Sequence, residues 1–146
     1  MSDASPVRNL WFNGALLLFL GLVTGGLVPA FANPRMGLSA HLTAVQCGLV
    51  LLAFGCVWTR LRLGAAALRF ALMANVVGAY ALWLAFVLGA ALGTGNATPF
   101  AGAGFTGSPL EEALVTSVLY LGVAGSLAGT GLVALGLRPA RRHASA

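Results

Sequence analysis

Long apolar runs, separated by short polar or glycine-rich stretches, dominate the chain. Four such runs of about 20 residues or more occupy positions 10–31, 40–59, 70–92 and 109–137. A helix rises 1.5 Å per residue, so about 20 apolar residues cross the hydrocarbon core of a bilayer. The pattern predicts an all-α fold: one domain over residues 1–146, folded as an integral membrane four-helix bundle. The fourth run is longer than a bilayer requires, so its helix should tilt or project.

The connections between the runs have turn chemistry. Asn33-Pro34-Arg35 follows Pro29 and predicts the end of the first helix, because proline removes backbone donors. The stretch 60–64 separates the second and third helices, and the uncharged, glycine-rich stretch 93–108 separates the third and fourth. The first run exceeds the roughly 7–15 apolar residues of a signal peptide. We therefore expect a retained helix, although Ala30-Phe31-Ala32 resembles a cleavage site.

The start of the fourth helix carries an N-terminal capping pattern. Ser108 stands at the N-cap, Pro109 at the first helical position and Glu111 at the third, which is the spacing of a capping box. Glu111 and Glu112 are interpreted as capping residues at the positive end of the helix dipole. Catalysis by the two carboxylates is the alternative.

Composition and charge agree with a membrane protein and predict its orientation. The chain is 59% hydrophobic and 8% charged, with a mean hydropathy of +0.92, whereas soluble domains carry roughly a quarter charged residues. The arginines cluster at the N-terminus, the second connection and the C-terminus, which predicts that both termini are cytoplasmic and that the chain lies in the inner membrane. They are Arg8, Arg60, Arg62, Arg69, Arg138, Arg141 and Arg142. The net charge of +5 indicates attraction to anionic membrane lipid and no nucleic-acid partner.

His41 is the strongest candidate for chemistry. Ionisable groups at membrane depth are costly, and imidazole is the commonest protein ligand of metals. The other histidine, His143, lies in the polar C-terminal tail. Ala44, Val45 and Gly48 lie on the helical face of His41 and leave room for a neighbouring helix or for a flat cofactor such as haem.

Arg35 is the single arginine outside the three clusters. It is interpreted either as an interfacial anchor or as a partner of an anionic cofactor or substrate group.

Cysteine and glycine spacings describe packing. Cys47 and Cys56 are nine residues apart, about 13 Å along a helix and on opposite faces, so no disulfide can join them.

Small residues at four-residue spacing, in the pairs 21/25 and 125/129, predict close helix contacts. Because four helices enclose little more than their own core, we expect a homo-oligomer in which some of these faces meet other subunits.

Three segments carry a resemblance to a known family. They are LWFNGALLLFLGLVTG at 10–25, NPRMGLSAHL at 33–42 and YALWLA at 80–85. Together they resemble the hydroxylaminobenzene mutase family and, more distantly, styrene oxide isomerase. The resemblance implies a trimeric four-helix membrane enzyme that binds haem b between subunits through a histidine of the second helix. His41 would then be the ligand of the haem metal, with Arg35 as a second cofactor-binding residue.

The chain departs from these relatives at four polar positions. An asparagine of both relatives is replaced by Cys47, and a histidine of the mutases is replaced by Asn13. The aspartate and tyrosine of the isomerase fall near Gly78 and Phe86. The candidate catalytic residues that remain are Asn13, Gln46, Asn75 and Tyr80, with Thr116, Ser117 and Tyr120 on the fourth helix. Hydrogen bonding between helices is the alternative role for all of them.

The resemblance implies a redox-neutral rearrangement at a Lewis-acidic haem iron. An aryl hydroxylamine would become an aminophenol, and small apolar aromatic substrates would reach the site through the bilayer. Two alternatives stay open: rearrangement of an epoxide to an aldehyde, and a non-catalytic haem-binding membrane protein.

Overall fold

The computed structural model describes residues 4–139 and is built from helices; this part of the chain contains no strand. Four helices are long and apolar enough to cross a membrane, which confirms an all-α, multi-pass architecture. The helices are α1 (Ala4–Gly26), α2 (Pro34–Val57), α3 (Ala65–Leu92), the short α4 (Pro99–Gly102) and α5 (Pro109–Gly136), with 3₁₀ turns at Val28–Ala30 and Trp58–Arg60. Arg141, Arg142 and His143 lie outside the described residues.

The observed helix bounds differ from the predicted ones, most clearly at the start of α2. The sequence Asn33-Pro34 was expected to break the first helix, but it starts the second. The Asn33 side chain accepts a hydrogen bond from the Met36 N–H at 3.1 Å, and Pro34 occupies the first helical position. α2 therefore begins six residues before position 40, and His41 lies two turns inside it. α1 and α3 likewise begin earlier than expected: α1 includes the polar residues Ser5, Arg8 and Asn9 before position 10, and α3 includes the apolar residues 65–68 and then Arg69 before position 70.

The bundle consists of two antiparallel helix pairs. α1 packs along α2, α3 packs along α5, and α2 against α3 joins the pairs. Glycines let the backbones approach closely: a Cβ on Gly14 would lie 2.8 Å from the Gly48 carbonyl oxygen, and a Cβ on Gly125 would lie 2.9 Å from that of Ala74. The prediction of close packing is confirmed. The two predicted glycine pairs, 21/25 and 125/129, pack against helices of the same chain. Their spacing therefore does not support an oligomer.

Apolar side chains fill the space between the helices and also cover much of the outside. The core is built around Leu10, Leu17, Leu51 and Trp58, while the outer surface is rich in exposed leucine and phenylalanine, as lipid contact requires. Both cysteines are free, Cys47 half-buried and Cys56 exposed, in agreement with the sequence.

Glu112 organises the long connection between α3 and α5. The Glu111 prediction is confirmed, because Ser108 and Glu111 form the expected capping box. Glu112 differs from its expected role. Its buried carboxylate accepts hydrogen bonds from the N–H groups of three loop residues, Gly95, Asn96 and Gly107, at 2.9–3.1 Å. The short-range capping pattern gave no sign of these contacts, since two of the donors lie 16 and 17 residues away.

Candidate functional site

His41 is held by the backbone of the neighbouring helix. Its Nδ1 lies 2.7 Å from the carbonyl oxygen of Gly21 on α1. A carbonyl can only accept, so Nδ1 must carry the proton in this contact. In the neutral ring Nε2 then keeps its lone pair, and it forms no hydrogen bond with the residues described here. Fixing one nitrogen on a backbone carbonyl and leaving the other free is the usual arrangement of a metal-ligating histidine.

Gly25 makes room for the imidazole. A Cβ at this position would lie 2.7 Å from Nδ1 and 3.0 Å from Cε1 of His41, so the ring rests on bare backbone. The side chain is half-buried, and part of it therefore reaches the outer surface of the bundle where α1 and α2 meet. Within residues 4–139 no three His, Cys, Asp or Glu side chains come together as a metal site. His41 could thus serve as a single protein ligand of a metal-containing cofactor.

A polar contact joins α1 to α3 beside the same core. The Tyr80 hydroxyl donates to the Asn13 carbonyl oxygen at 3.4 Å, and Trp83 Nε1 donates to Thr24 Oγ1 at 3.2 Å. The two aromatic rings meet edge to face, with centroids 6.5 Å apart. The structure therefore brings Tyr80 to the backbone of Asn13, whereas the Asn13 side-chain amide donates to Asn9 on its own helix. Thr24 and Trp83 were not among the predicted residues, although each places a polar atom inside an apolar run, which is a signal visible in the sequence.

Asn75 lies in a different helix contact. It is buried, donates to the Ala71 carbonyl oxygen at 2.8 Å and accepts from Thr130 of α5 at 3.2 Å. Its amide also packs where a Cβ on Gly129 would lie. These contacts match the alternative role of hydrogen bonding between helices. The α3–α5 contact that holds Asn75 is separate from the α1–α2 contact that holds His41.

An open groove of about 490 Å³ lies between α2, α3 and α4. Aromatic and polar side chains share its walls: Ser39, Thr43, Gln46, Phe86, Thr98 and Phe100. Asn33 holds α4 over this groove by donating to the Gly102 carbonyl oxygen at 3.0 Å. The exposed Gln46 amide forms no hydrogen bond with the described residues, and an unpaired amide facing lipid is costly. The groove is therefore suited to an aromatic ligand that carries a hydrogen-bonding group.

Arg35 contacts one of the groove residues, Phe100, and lies on the same side of α2 as the groove. Its guanidinium lies 4.6 Å from the ring centroid of Phe100, a cation–π contact. Six helical residues separate Arg35 from His41, which places them about 120° apart around α2 and roughly 9 Å apart along it. Within one chain, His41 therefore lies on one side of α2, and Arg35 and Gln46 lie on another.

Comparisons with known proteins agree with the resemblance read from the sequence. A family model described as styrene oxide isomerase matches residues 7–138. Hydroxylaminobenzene mutase HabB of Ectopseudomonas oleovorans is 42% identical over 148 residues, covering 99% of this chain and 90% of the relative. Hydroxylaminobenzene mutase HabA of the same organism is 35% identical over 129 residues, covering 88% and 96%. No solved structure matches the chain significantly.

Proposed function

We infer the function of this chain from its family: it belongs to the styrene oxide isomerase family. We propose that it is a membrane isomerase that rearranges an aryl hydroxylamine to an aminophenol, with haem b bound at His41. The observation that carries the cofactor proposal is the contact between His41 Nδ1 and the Gly21 carbonyl oxygen, because it leaves Nε2 free to ligate.

The residues around His41 fit a haem. The imidazole has a fixed tautomer, reaches the outside of the bundle, and is flanked by Gly25, which offers no side chain to block it. When bound, haem b supplies a Lewis acid for the oxygen of the substrate, which is what a redox-neutral rearrangement requires. In this proposal His41 would be the one protein ligand that holds the haem.

The reaction balances without an oxidant or a reductant. The N–O bond of the hydroxylamine breaks and a C–O bond forms on the ring. The ring carbon that gains oxygen loses one proton, and the nitrogen gains one. Substrate and product are isomers. In this proposal Phe86 and Phe100 bind the aryl ring, and the Gln46 amide hydrogen-bonds the polar end of the substrate. Asn13 and Tyr80 set the position of α1, and with it that of the Gly21 carbonyl, against α3.

We propose further that the chain acts as a homotrimer. His41 and the groove lie on different sides of α2, so one chain alone does not place the groove residues against the imidazole. A copy whose groove faces the α1–α2 surface of its neighbour would bring the two together. The small aromatic substrate would then enter from the bilayer between subunits.

The packing of α3 favours the hydroxylamine over an epoxide. The aspartate that the resemblance assigns to the isomerase falls near Gly78, where a Cβ would lie 2.6 Å from the Ser126 backbone nitrogen of α5. A carboxylate has no space there. The tyrosine falls near Phe86, which has no hydroxyl. The two mutases are also similar over nearly the whole chain.

Replacing His41 by glutamine tests the cofactor site. Glutamine keeps an N–H that can reach the Gly21 carbonyl but removes the imidazole lone pair. We expect the detergent-purified wild-type protein to show a haem Soret band, and His41→Gln to lose it while inserting normally. His143→Gln is the matched control and should retain the band. A His41→Gln protein with an unchanged Soret spectrum would remove His41 from the site.

A further inference from the structure

A second cavity lies at the opposite end of the bundle from α4. It has a volume of about 540 Å³ and opens between the start of α1, the α2–α3 connection and the first turns of α3. Its walls include Pro6, Trp58, Leu61, Leu68, Arg69 and Leu72. The volume falls in the range of ligand pockets, roughly 300–1,000 Å³. Apart from Arg69 and a threonine, the lining is apolar.

This end of the bundle is strongly basic. Arg8, Arg60 and Arg62 are exposed there together with Arg69. The described acidic residues are Glu111 and Glu112, and their carboxylates are bound at the other end by Ser108 and by the loop of α4. No carboxylate of residues 4–139 is therefore placed to neutralise these arginines. Guanidinium groups stay ionised and match phosphate with paired hydrogen bonds.

The first turn of α3 adds to the positive potential at the cavity mouth. Its N-cap, Gly64, provides no side-chain cap, and Leu68 is the residue that bonds back to the Gly64 carbonyl oxygen. The N–H groups of the preceding turn are thus without helical partners, at the positive end of the helix dipole. Ala65 lines the cavity, and Arg69 follows it one turn later on the same face.

We propose that this cavity binds one anionic phospholipid. Its phosphate lies against Arg69 and the start of α3, and an acyl chain follows Leu68 and Leu72 into the apolar part of the cavity. Two features of the site select the lipid class. The apolar walls require a chain that free phosphate lacks, and the cluster of arginines at this end repels the cationic headgroup of a zwitterionic lipid such as phosphatidylcholine.

Native mass spectrometry of the purified full-length chain tests the site. The delipidated protein is titrated with phosphatidylglycerol and with phosphatidylcholine of identical acyl chains. We expect one phosphatidylglycerol to bind about tenfold more tightly than phosphatidylcholine, the change that about 1.4 kcal/mol produces. Millimolar inorganic phosphate should not displace it, whereas short-chain phosphatidylglycerol should.

Two variants and a control separate this cavity from general surface charge. Arg69→Gln should weaken phosphatidylglycerol binding about tenfold, as loss of a charged hydrogen bond does. Leu68→Trp, which narrows the cavity without changing charge, should also weaken it. Arg138→Gln removes the same charge at the same end outside the cavity and should change binding less than about twofold. Equal losses in Arg69→Gln and Arg138→Gln, equal binding of the two lipids, or displacement by inorganic phosphate would each overturn the proposal.

Discussion

The imidazole of His41 lies where two glycines of α1 expose the backbone. Gly21 supplies the carbonyl that fixes the tautomer, and Gly25 supplies the space that the ring occupies. A Cβ at Gly25 would meet the ring itself, whereas a Cβ at Gly21 would meet Ala44 and Val45 of α2. The same two glycines were identified in the sequence as a helix-packing pair, and the structure shows that one of them packs on the imidazole itself.

Adding one methyl group at Gly25 should therefore disturb the haem site. In Gly25→Ala the new Cβ would lie 2.7 Å from His41 Nδ1, which forces the ring away from the Gly21 carbonyl. We expect haem content at purification to fall several-fold. Gly26→Ala is the matched control, because a Cβ there meets nothing within 4 Å. Equal haem content in the two variants would mean that the position of the ring does not depend on this contact.

For single residues, the sequence indicates which side chains are candidates for function, but it does not indicate which residues they contact. His41 could be singled out because an ionisable group in an apolar run is rare and costly. The contact of Thr24 with Trp83 and the contacts of Glu112 with Gly95 and Asn96 could not be predicted, because they join segments distant in sequence. Thr24 illustrates the difficulty: its hydroxyl bonds the Leu20 carbonyl oxygen at 2.7 Å, as helical threonines in membranes commonly do, and accepts from Trp83 as well.

At the scale of elements, the side chains of Glu112 and Asn33 both hold the connection between α3 and α5. The Glu112 carboxylate accepts hydrogen bonds from three loop N–H groups. The loop includes α4, which forms one wall of the groove. The start of α5 was predicted correctly, since Ser108 caps it as expected, whereas α1, α2 and α3 begin five or six residues earlier than expected. The start of α2 was predicted six residues too late because Asn33-Pro34 fits two roles. Proline can end one helix, and it is also favoured at the first position of the next.

Removing the Glu112 carboxylate should loosen this loop. In Glu112→Ala three loop N–H groups, that of Gly95 buried and those of Asn96 and Gly107 partly buried, lose their acceptor, at a cost of up to roughly 1.5–3 kcal/mol for a bond to a charged group. We expect amide hydrogen exchange at Gly95, Asn96 and Gly107 to accelerate at least about tenfold. Glu111→Ala is the comparison: it removes only the cap of α5, and fast exchange should stay within its first turn. Unchanged exchange in Glu112→Ala would show that the loop is held by other contacts.

At the scale of the whole molecule, an even number of spans puts both ends of the chain on one side of the membrane. Hydropathy alone predicted the four spans, because each is long, apolar and nearly free of charge. α1 pairs with α2, and α3 pairs with α5, through the helix faces that carry glycines. The periodicity of the sequence does not reveal which of these faces contact each other. Which side of the membrane the ends face is a prediction from the arginines.

Reporter fusions test the orientation. An enzyme that is active only outside the cytoplasm should stay inactive when fused after Ala146, because the arginine-rich ends are held inside. The same reporter inserted after Gly104, in the loop between α4 and α5, should be active. The reverse pattern would invert the orientation, and activity at both positions would contradict four spans.

Anaerobic turnover by the purified protein tests the central claim most directly. Haem-loaded protein in detergent is mixed with phenylhydroxylamine in the absence of oxygen and of NAD(P)H, and the products are separated by chromatography. Because the rearrangement is an isomerisation, we predict conversion to aminophenol by the wild-type protein and loss of at least about 100-fold in His41→Gln, as loss of a group acting in the transition state produces. Product formation that requires oxygen or a reductant, or that is equally fast in His41→Gln, would contradict a redox-neutral isomerase centred on His41.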